Sequence, residues 1–336
     1  MNGLNAVKLE DIAKMLDISV STVSRALSGN GRVGAKTRER VLEAVRKSDY
    51  TVNAVARSLR LRDARNIGII VPDITNSFFS SVIKGAQQVC RRSGYTLMVC
   101  NSDENAEYEE EALHMLLEKQ VSGLILASVG SGAELIRQYE RLSIPVVYID
   151  NIPDGADRRD VVSIDNRAAA RYLTRAMIER GYRDVGMITG PRSQSTGLLR
   201  YHGFVAALEE AGIPLRGEWV LEGDFSMESG YARMKDLLVL SHRPRAMIFG
   251  NNYLAYGALN AIREAGLRVP EDIAVASFDA QDHTGLITPL ITCINQPVQE
   301  IGERAAEIIF SRMNDNAETE RTELVLQPSF MEGGSW

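Results

Sequence analysis

Along the first fifty residues the apolar positions recur at helical spacing. Leu9, Ile12, Ala13 and Leu16 stand at i, i+3, i+4 and i+7 and predict an amphipathic helix over 9–16. Asp17-Ile18-Ser19 then reads as a tight turn, with Ser19 as the N-cap of a second helix over 20–27. Val20, Val23 and Leu27 are expected to face Ile12 and Leu16. A third helix, about 35–47, supplies Val41, Leu42, Ala44 and Val45 to a small three-helix core. Two short helices joined by about three residues form a helix-turn-helix.

From Asn66 the pattern changes to short apolar runs separated by helical stretches. The runs predict strands at 67–71, 96–100, 123–127, 146–149, 161–164, 185–189, 219–222, 246–249 and 273–277. Runs apolar on both faces, with helices between them, imply parallel sheets covered on both sides. Gly68, Gly85 and Gly94 recur 118 positions later as Gly186, Gly203 and Gly212. The body is therefore expected to hold two similar α/β lobes.

Composition narrows the class. With 336 residues, 45% hydrophobic and 24% charged, the chain fits a globular protein of about two domains plus a small one. No apolar run reaches the roughly 18 residues of a membrane helix, and the N-terminus mixes Lys8, Glu10, Asp11 and Lys14 among its apolar residues. A cytoplasmic location is expected. Cys90, Cys100 and Cys293 lack metal-ligand spacing, so buried reduced thiols and no cofactor are expected.

The net charge of -6 conceals a segregation. Residues 1–65 carry 13 Lys and Arg against 7 Asp and Glu, a balance of +6, which leaves -12 for the remainder. A basic segment on an acidic body fits a nucleic-acid module beside a separate domain, although a solvated basic face would show the same balance. On the outward face of the second helix, Ser21, Thr22, Ser24 and Arg25 combine small hydroxyls with a guanidinium able to bind guanine bidentately. An ordinary solvent-facing helix is equally consistent with those four residues.

Catalysis finds little support. No dinucleotide Gly-x-Gly-x-x-Gly or phosphate loop follows the first strand, and there is no nucleophile elbow or metal-ligand spacing. His114, His202 and His242 are expected at the surface. No enzyme activity is expected.

The run from Asp11 to Leu27, Asp-Ile-Ala-x-x-x-x-Ile-Ser-x-x-Thr-Val-Ser-Arg-x-Leu, is followed by Arg-x-Arg-Val at 38–41 and Asn-Ala-Val-Ala-Arg-Ser-Leu at 53–59. Together they resemble the LacI/GalR family of bacterial transcription regulators. The resemblance covers about residues 7–330. It implies a helix-turn-helix domain at 1–50, a hinge helix and linker at 51–65, and an effector-binding and dimerisation domain at 66–336. That last part would be periplasmic-binding-protein-like, two doubly wound parallel-sheet lobes. The first lobe would take 66–165 and 296–322, and the second 166–295 and 323–336, with the chain crossing three times.

The same resemblance assigns base contacts to Val20, Ser21 and Arg25. It places Asn53, Ala56, Leu59 and Arg60 in the hinge, with Leu59 wedged into the minor groove and Arg60 beside it. Two positions depart from the family pattern. Asp17 stands where Gly is usual, though Asp tolerates left-handed backbone angles. Val52 stands where Pro commonly opens the hinge helix, so the hinge loses a pre-set dihedral.

For the cleft the resemblance points to strand-end positions, where ligands of such sheets sit. These are Asp73, Phe78 and Phe79 after the first strand, Thr196 and Arg200 in the repeat copy, and Asp150, Phe225, Asn252 and Asp279. Carboxylates accept from vicinal hydroxyls, an Arg fork donates to oxygens, and Phe faces cover a sugar ring. Asp150 and Asp279 could instead cap the next element, and Phe78 or Phe79 could be core. Gln194 replaces an Arg of purine-responsive members, which argues against a purine. Arg192, Arg200 and His283 leave room for a sugar acid beside a neutral sugar.

The expectation is a homodimeric repressor of a pseudo-palindromic operator, released by a sugar or sugar-acid inducer. Corepression, or a sugar-binding protein without DNA function, is the alternative. The latter would need an export signal in place of the helix-turn-helix. With no heptad tail before Trp336, a dimer is expected rather than a tetramer.

Overall fold

A computed structural model describes residues 9–28, 33–47, 65–153, 159–280, 285–314 and 321–336. The chain divides into two compact units, Met1–Asp63 and Ala64–Trp336.

In the first unit, α1 (Leu9–Leu16), α2 (Val20–Ser28) and α3 (Ala35–Lys47) bury Ile12, Ala13, Val23, Ala26, Val41 and Ala44 together. The turn works because Asp17 takes a left-handed φ of 54°, which lets the Ile18 amide reach back to the Ala13 carbonyl at 3.1 Å. Ser19 then caps α2, its hydroxyl accepting from the Thr22 amide at 3.2 Å. Two expected core positions turn outward. Val20 is 40% exposed beside the exposed turn, and Leu42 is 42% exposed because Val41, Ala44 and Val45 already form the inward stripe of α3. Ala26 fills the space on α2 instead.

Among its described residues the second unit holds two six-stranded sheets. The first runs β11-β5-β4-β3-β1-β2, all parallel, from β1 (Asn66–Val71), β2 (Thr96–Asn101), β3 (Gly123–Leu126), β4 (Val146–Ile149), β5 (Asp160–Ile164) and β11 (Glu323–Leu326). The second runs β12-β10-β9-β8-β6-β7, from β6 (Val185–Thr189), β7 (Val220–Glu222), β8 (Ala246–Phe249), β9 (Ala274–Phe278), β10 (Thr292–Asn295) and β12 (Ser329–Met331), with only β12 antiparallel.

Helices cover both faces of each sheet. On β1, Ile67, Ile69 and Val71 pack with α4 (Ser77–Arg92) and α11 (Val298–Asn314). Ile70, pointing the other way, packs with α5 (Ala106–Glu118) and α6 (Ala133–Arg141). In the second lobe α7 (Asn166–Glu179) and α8 (Ser195–Glu210) lie on one face and α9 (Met227–Leu238) and α10 (Asn252–Glu264) on the other.

The glycine repeat has a packing cause. A Cβ on Gly85 would lie 2.1 Å from the Gln299 carbonyl of α11, and one on Gly203 would lie 2.2 Å from the Arg167 carbonyl of α7. Each glycine lets a helix pair cross closely in its lobe.

The chain passes between sheets after β5, after β10 and after β11. The third passage corrects an expected boundary. Residues 323–326 pair in parallel with β5 in the first sheet, so the second lobe regains the chain only after Gln327-Pro328. Strands β10, β11 and β12 were not anticipated by the apolar pattern, and Trp219 lies in a short 3-10 turn rather than in β7. Among the described residues no helix is long and apolar enough to cross a membrane.

Candidate functional site

Each unit carries one candidate site. On α2, Val20, Ser21 and Arg25 are exposed and Thr22 is half-buried. The Ser19 hydroxyl lies 2.8 Å from those of both Ser21 and Thr22, so the hydroxyls at the start of this helix form one ordered group. Ser24 lies in the same helix. Asn53, Ala56, Leu59 and Arg60 lie outside the described residues.

In the second unit, the loops leaving the carboxyl ends of strands from both sheets enclose a cavity of about 330 Å³. All nine cleft residues named from the sequence line it: Asp73, Phe78, Phe79, Asp150, Thr196, Arg200, Phe225, Asn252 and Asp279. Three of them, each in a loop beyond a strand end, have left-handed backbones: Asp150 (φ 57°), Phe225 (φ 67°) and Asp279 (φ 54°). Such angles cost an L residue roughly 1–2 kcal/mol and cluster where a side chain must be aimed.

Arg200, on α8, is only 3% exposed. Its Nε donates to Asn166 Oδ1 at 2.8 Å, its Nη1 donates to the Gly250 carbonyl, and its guanidinium carbon stands 4.1 Å from the centre of the Phe278 ring. Nη2 has no hydrogen-bond partner among the described residues. Burial lowers the Arg200 pKa against the pull of Asp150 and Asp279. Desolvation pushes Asp150 up to about 6, opposed by Arg200 and helped by repulsion from Asp279. Asp279 is likewise raised by desolvation, opposed by Arg200 and by its bonds from Gln296, whose amide N–H and side-chain amide donate at 2.9 and 2.7 Å.

The aromatic residues play unequal parts. Phe78 and Phe79 meet edge-on at 4.9 Å and are both buried in the main core, so only their margins reach the cavity. Phe225 lays its ring on Gly190, where a Cβ would come within 1.9 Å of Cζ. Thr196 is 1% exposed and its hydroxyl lacks a partner among the described residues.

Several contacts around the cavity were not anticipated. Asn76 and Asn252 exchange amide hydrogen bonds of 3.1 and 3.0 Å between the lobes, while Asn76 also caps α4 by accepting from the Phe78 amide. Asn151 Oδ1 accepts from the Ser195 amide at 2.6 Å and from its hydroxyl at 2.8 Å. Gln194 donates to Glu104 across the cleft at 3.1 Å. Glu104 is pushed up to about 7, chiefly by desolvation and further by Asp150, Asp224 and Asp73. Glu104, Asp224 and Gln296 all follow strand ends, the one signal that could have marked them. Arg192, expected near the cleft, is instead paired with Glu222 at 2.8 Å on the surface, and His283 lies outside the described residues.

Comparison with known proteins gives two family matches. Residues 8–53 match the bacterial regulatory proteins of the lacI family, and residues 64–332 match the periplasmic binding proteins and sugar binding domain of the LacI family. The HTH-type transcriptional repressor PurR of Yersinia enterocolitica is 37% identical over 326 residues, 96% of this chain and 95% of that one. Among solved structures, the lac repressor dimer bound to operator and the anti-inducer ONPF superposes with a TM-score of 0.85 at 25% identity, covering 98% of this chain and 99% of that one. A complex of the transcriptional regulator CelR with cellobiose gives 0.74 at 27% identity, covering 98% and 100%.

Proposed function

The chain belongs to the LacI family of bacterial regulatory proteins, a DNA-binding transcriptional regulator controlled by a small-molecule effector, and from that premise we propose how it does so. It acts in the cytoplasm as a homodimeric repressor, with the sheet cleft as effector site and no catalytic step. Two copies of α2 related by a two-fold read two half-sites of a pseudo-palindrome. Val20, Ser21, Thr22, Ser24 and Arg25 meet bases and phosphates. Asn53, Ala56, Leu59 and Arg60 form the hinge, with Leu59 wedging the minor groove.

The effector is a hydroxyl-rich molecule of the sugar class, and it acts as an inducer. A single observation carries this reading: Arg200 stands buried in the cavity between Asp150 and Asp279 with one guanidinium nitrogen unpartnered. A donor fork flanked by acceptors suits vicinal hydroxyls. Arg192, one of the three groups expected to favour a sugar acid, is engaged by Glu222 away from the cavity.

A thermal-shift screen with sugars, sugar acids and nucleosides identifies the ligand, because one that binds only the native state raises its stability. Arg200→Ala should then abolish the response while leaving operator affinity without effector unchanged. Loss of operator binding itself would refute the assignment, and an operator affinity that rises with ligand would make the protein a corepressor-dependent regulator.

A further inference from the structure

The charge around the cavity is lopsided. Asp73, Glu104, Asp150, Asp224, Glu228 and Asp279 all line it, against Arg200 as the one cationic lining residue among the described residues. None of the six carboxylates forms an ion pair among the described residues. Arg200 offsets Asp150 and Asp279 at one end, and Gln296 further holds Asp279.

At the other end only hydrogen bonds offset the charge among the described residues: Gln194 donates to Glu104, and against desolvation the bonds from Ser226 and Ser229 hold Asp224 below its ordinary value. Glu104 faces repulsion from Asp73, Asp150 and Asp224. Asp73 commits one oxygen to the Thr75 amide and hydroxyl, which leaves its other oxygen without a hydrogen bond among the described residues, while Asp224 takes bonds from Ser226 and Ser229. Crowding like charges in a partly desolvated cleft is unfavourable, and such arrangements mark sites built for a charged partner.

A second, independent feature shows where the rest of the ligand goes. Among the described residues, Arg200 Nη2 and the Thr196 hydroxyl are buried in the same cavity without partners, so that end calls for ligand oxygens.

We propose that the effector is a small polyol or sugar carrying a free amine, its oxygens on Arg200 and Thr196 and its ammonium among Glu104, Asp73 and Asp224. The inference rests on the reading of the cleft as the effector site and narrows the class of its ligand. An ammonium donates to several carboxylates at once, where a neutral hydroxyl gives one hydrogen and an anion is repelled. A cavity of about 330 Å³ holds a compact molecule of this kind.

The test uses matched probes on the full-length protein at pH 7.5 in low salt. Calorimetry compares glucosamine with glucose, galactosamine with galactose, mannosamine with mannose and 1-amino-1-deoxysorbitol with sorbitol, with gluconate and galacturonate as anions. At least one amine should bind roughly tenfold more tightly than its hydroxyl counterpart, an advantage of the size expected for a charge-assisted bond and weakened by salt. Glu104→Gln and Asp224→Asn should cost the amine more affinity than its hydroxyl counterpart and so shrink that advantage.

A neutral or anionic member that binds as tightly as its amine in every pair overturns the cationic class. If that binding still requires Arg200, the cleft reading survives. Binding that persists unchanged in Arg200→Ala overturns the cleft reading itself. No binding by any member overturns both.

Discussion

At the residue scale, the cleft holds groups in states they would not choose in water, and this gives its stability a pH dependence. In the folded protein Glu104 ionises only near pH 7, whereas in the unfolded chain it ionises near 4.5. Between those values the folded state binds the extra proton. The contribution of this group to stability is therefore fully present below about pH 4.5 and is lost as pH rises through about 7. Glu104→Gln keeps an oxygen for Gln194 and removes the charge, so it should raise the melting temperature at pH 8 and leave it nearly unchanged at pH 4.5. An equal shift at both pH values would show that the effect is packing and not ionisation. The individual carboxylates Asp150 and Asp279 were legible because they end buried strands. Their surroundings were not. Asn76 with Asn252 and Glu104 with Gln194 join residues 176 and 90 positions apart, a relation that local periodicity does not carry.

At the scale of elements, legibility follows burial. Strands such as β3, β4 and β8, buried along their whole length, show as continuous apolar runs. Strands β11 and β12 are partly exposed, and Glu323 and Ser329 interrupt the apolar pattern. The helix-turn-helix was readable for a different reason: its turn is made by local chemistry. Asp17 supplies the left-handed angle and Ser19 the cap. Ser19→Ala should cost about 0.5–2 kcal/mol of the first unit's stability, read by urea denaturation, because the Thr22 amide loses its side-chain acceptor. Asp17→Gly should be neutral or stabilising, since glycine reaches φ > 0 without steric penalty. In the body, Gly85→Ala sets a methyl against the Gln299 carbonyl. Helices α4 and α11 must then separate, which should cost about 1–3 kcal/mol. A cost near zero would mean that the crossing has room to spare.

At the scale of the whole ligand-binding body, response to an effector requires two arrangements of the lobes with different affinity for it. The closed arrangement has its own polar latch. The Ser195 hydroxyl on α8 donates to Asn151 Oδ1 and accepts from the Ile152 amide at 2.8 Å, both in the first lobe, yet Ser195 does not line the cavity. It can therefore tune the lobe equilibrium without touching ligand. Each net hydrogen bond contributes about 0.5–1.5 kcal/mol, so losing two should shift the closed-to-open equilibrium by roughly 5–150-fold. Where the open form then becomes appreciable, apparent effector affinity falls in proportion to the competent fraction. Ser195→Ala should accordingly raise the effector concentration needed to release operator, with operator affinity in its absence undiminished. Because the penalty is paid before any ligand is recognised, every effector that binds should lose affinity by the same factor. A lost contact would penalise ligands unequally. Titrating at least two effectors against Ser195→Ala separates the cases: a common factor supports the latch, and factors that differ between ligands place Ser195 in direct contact with them.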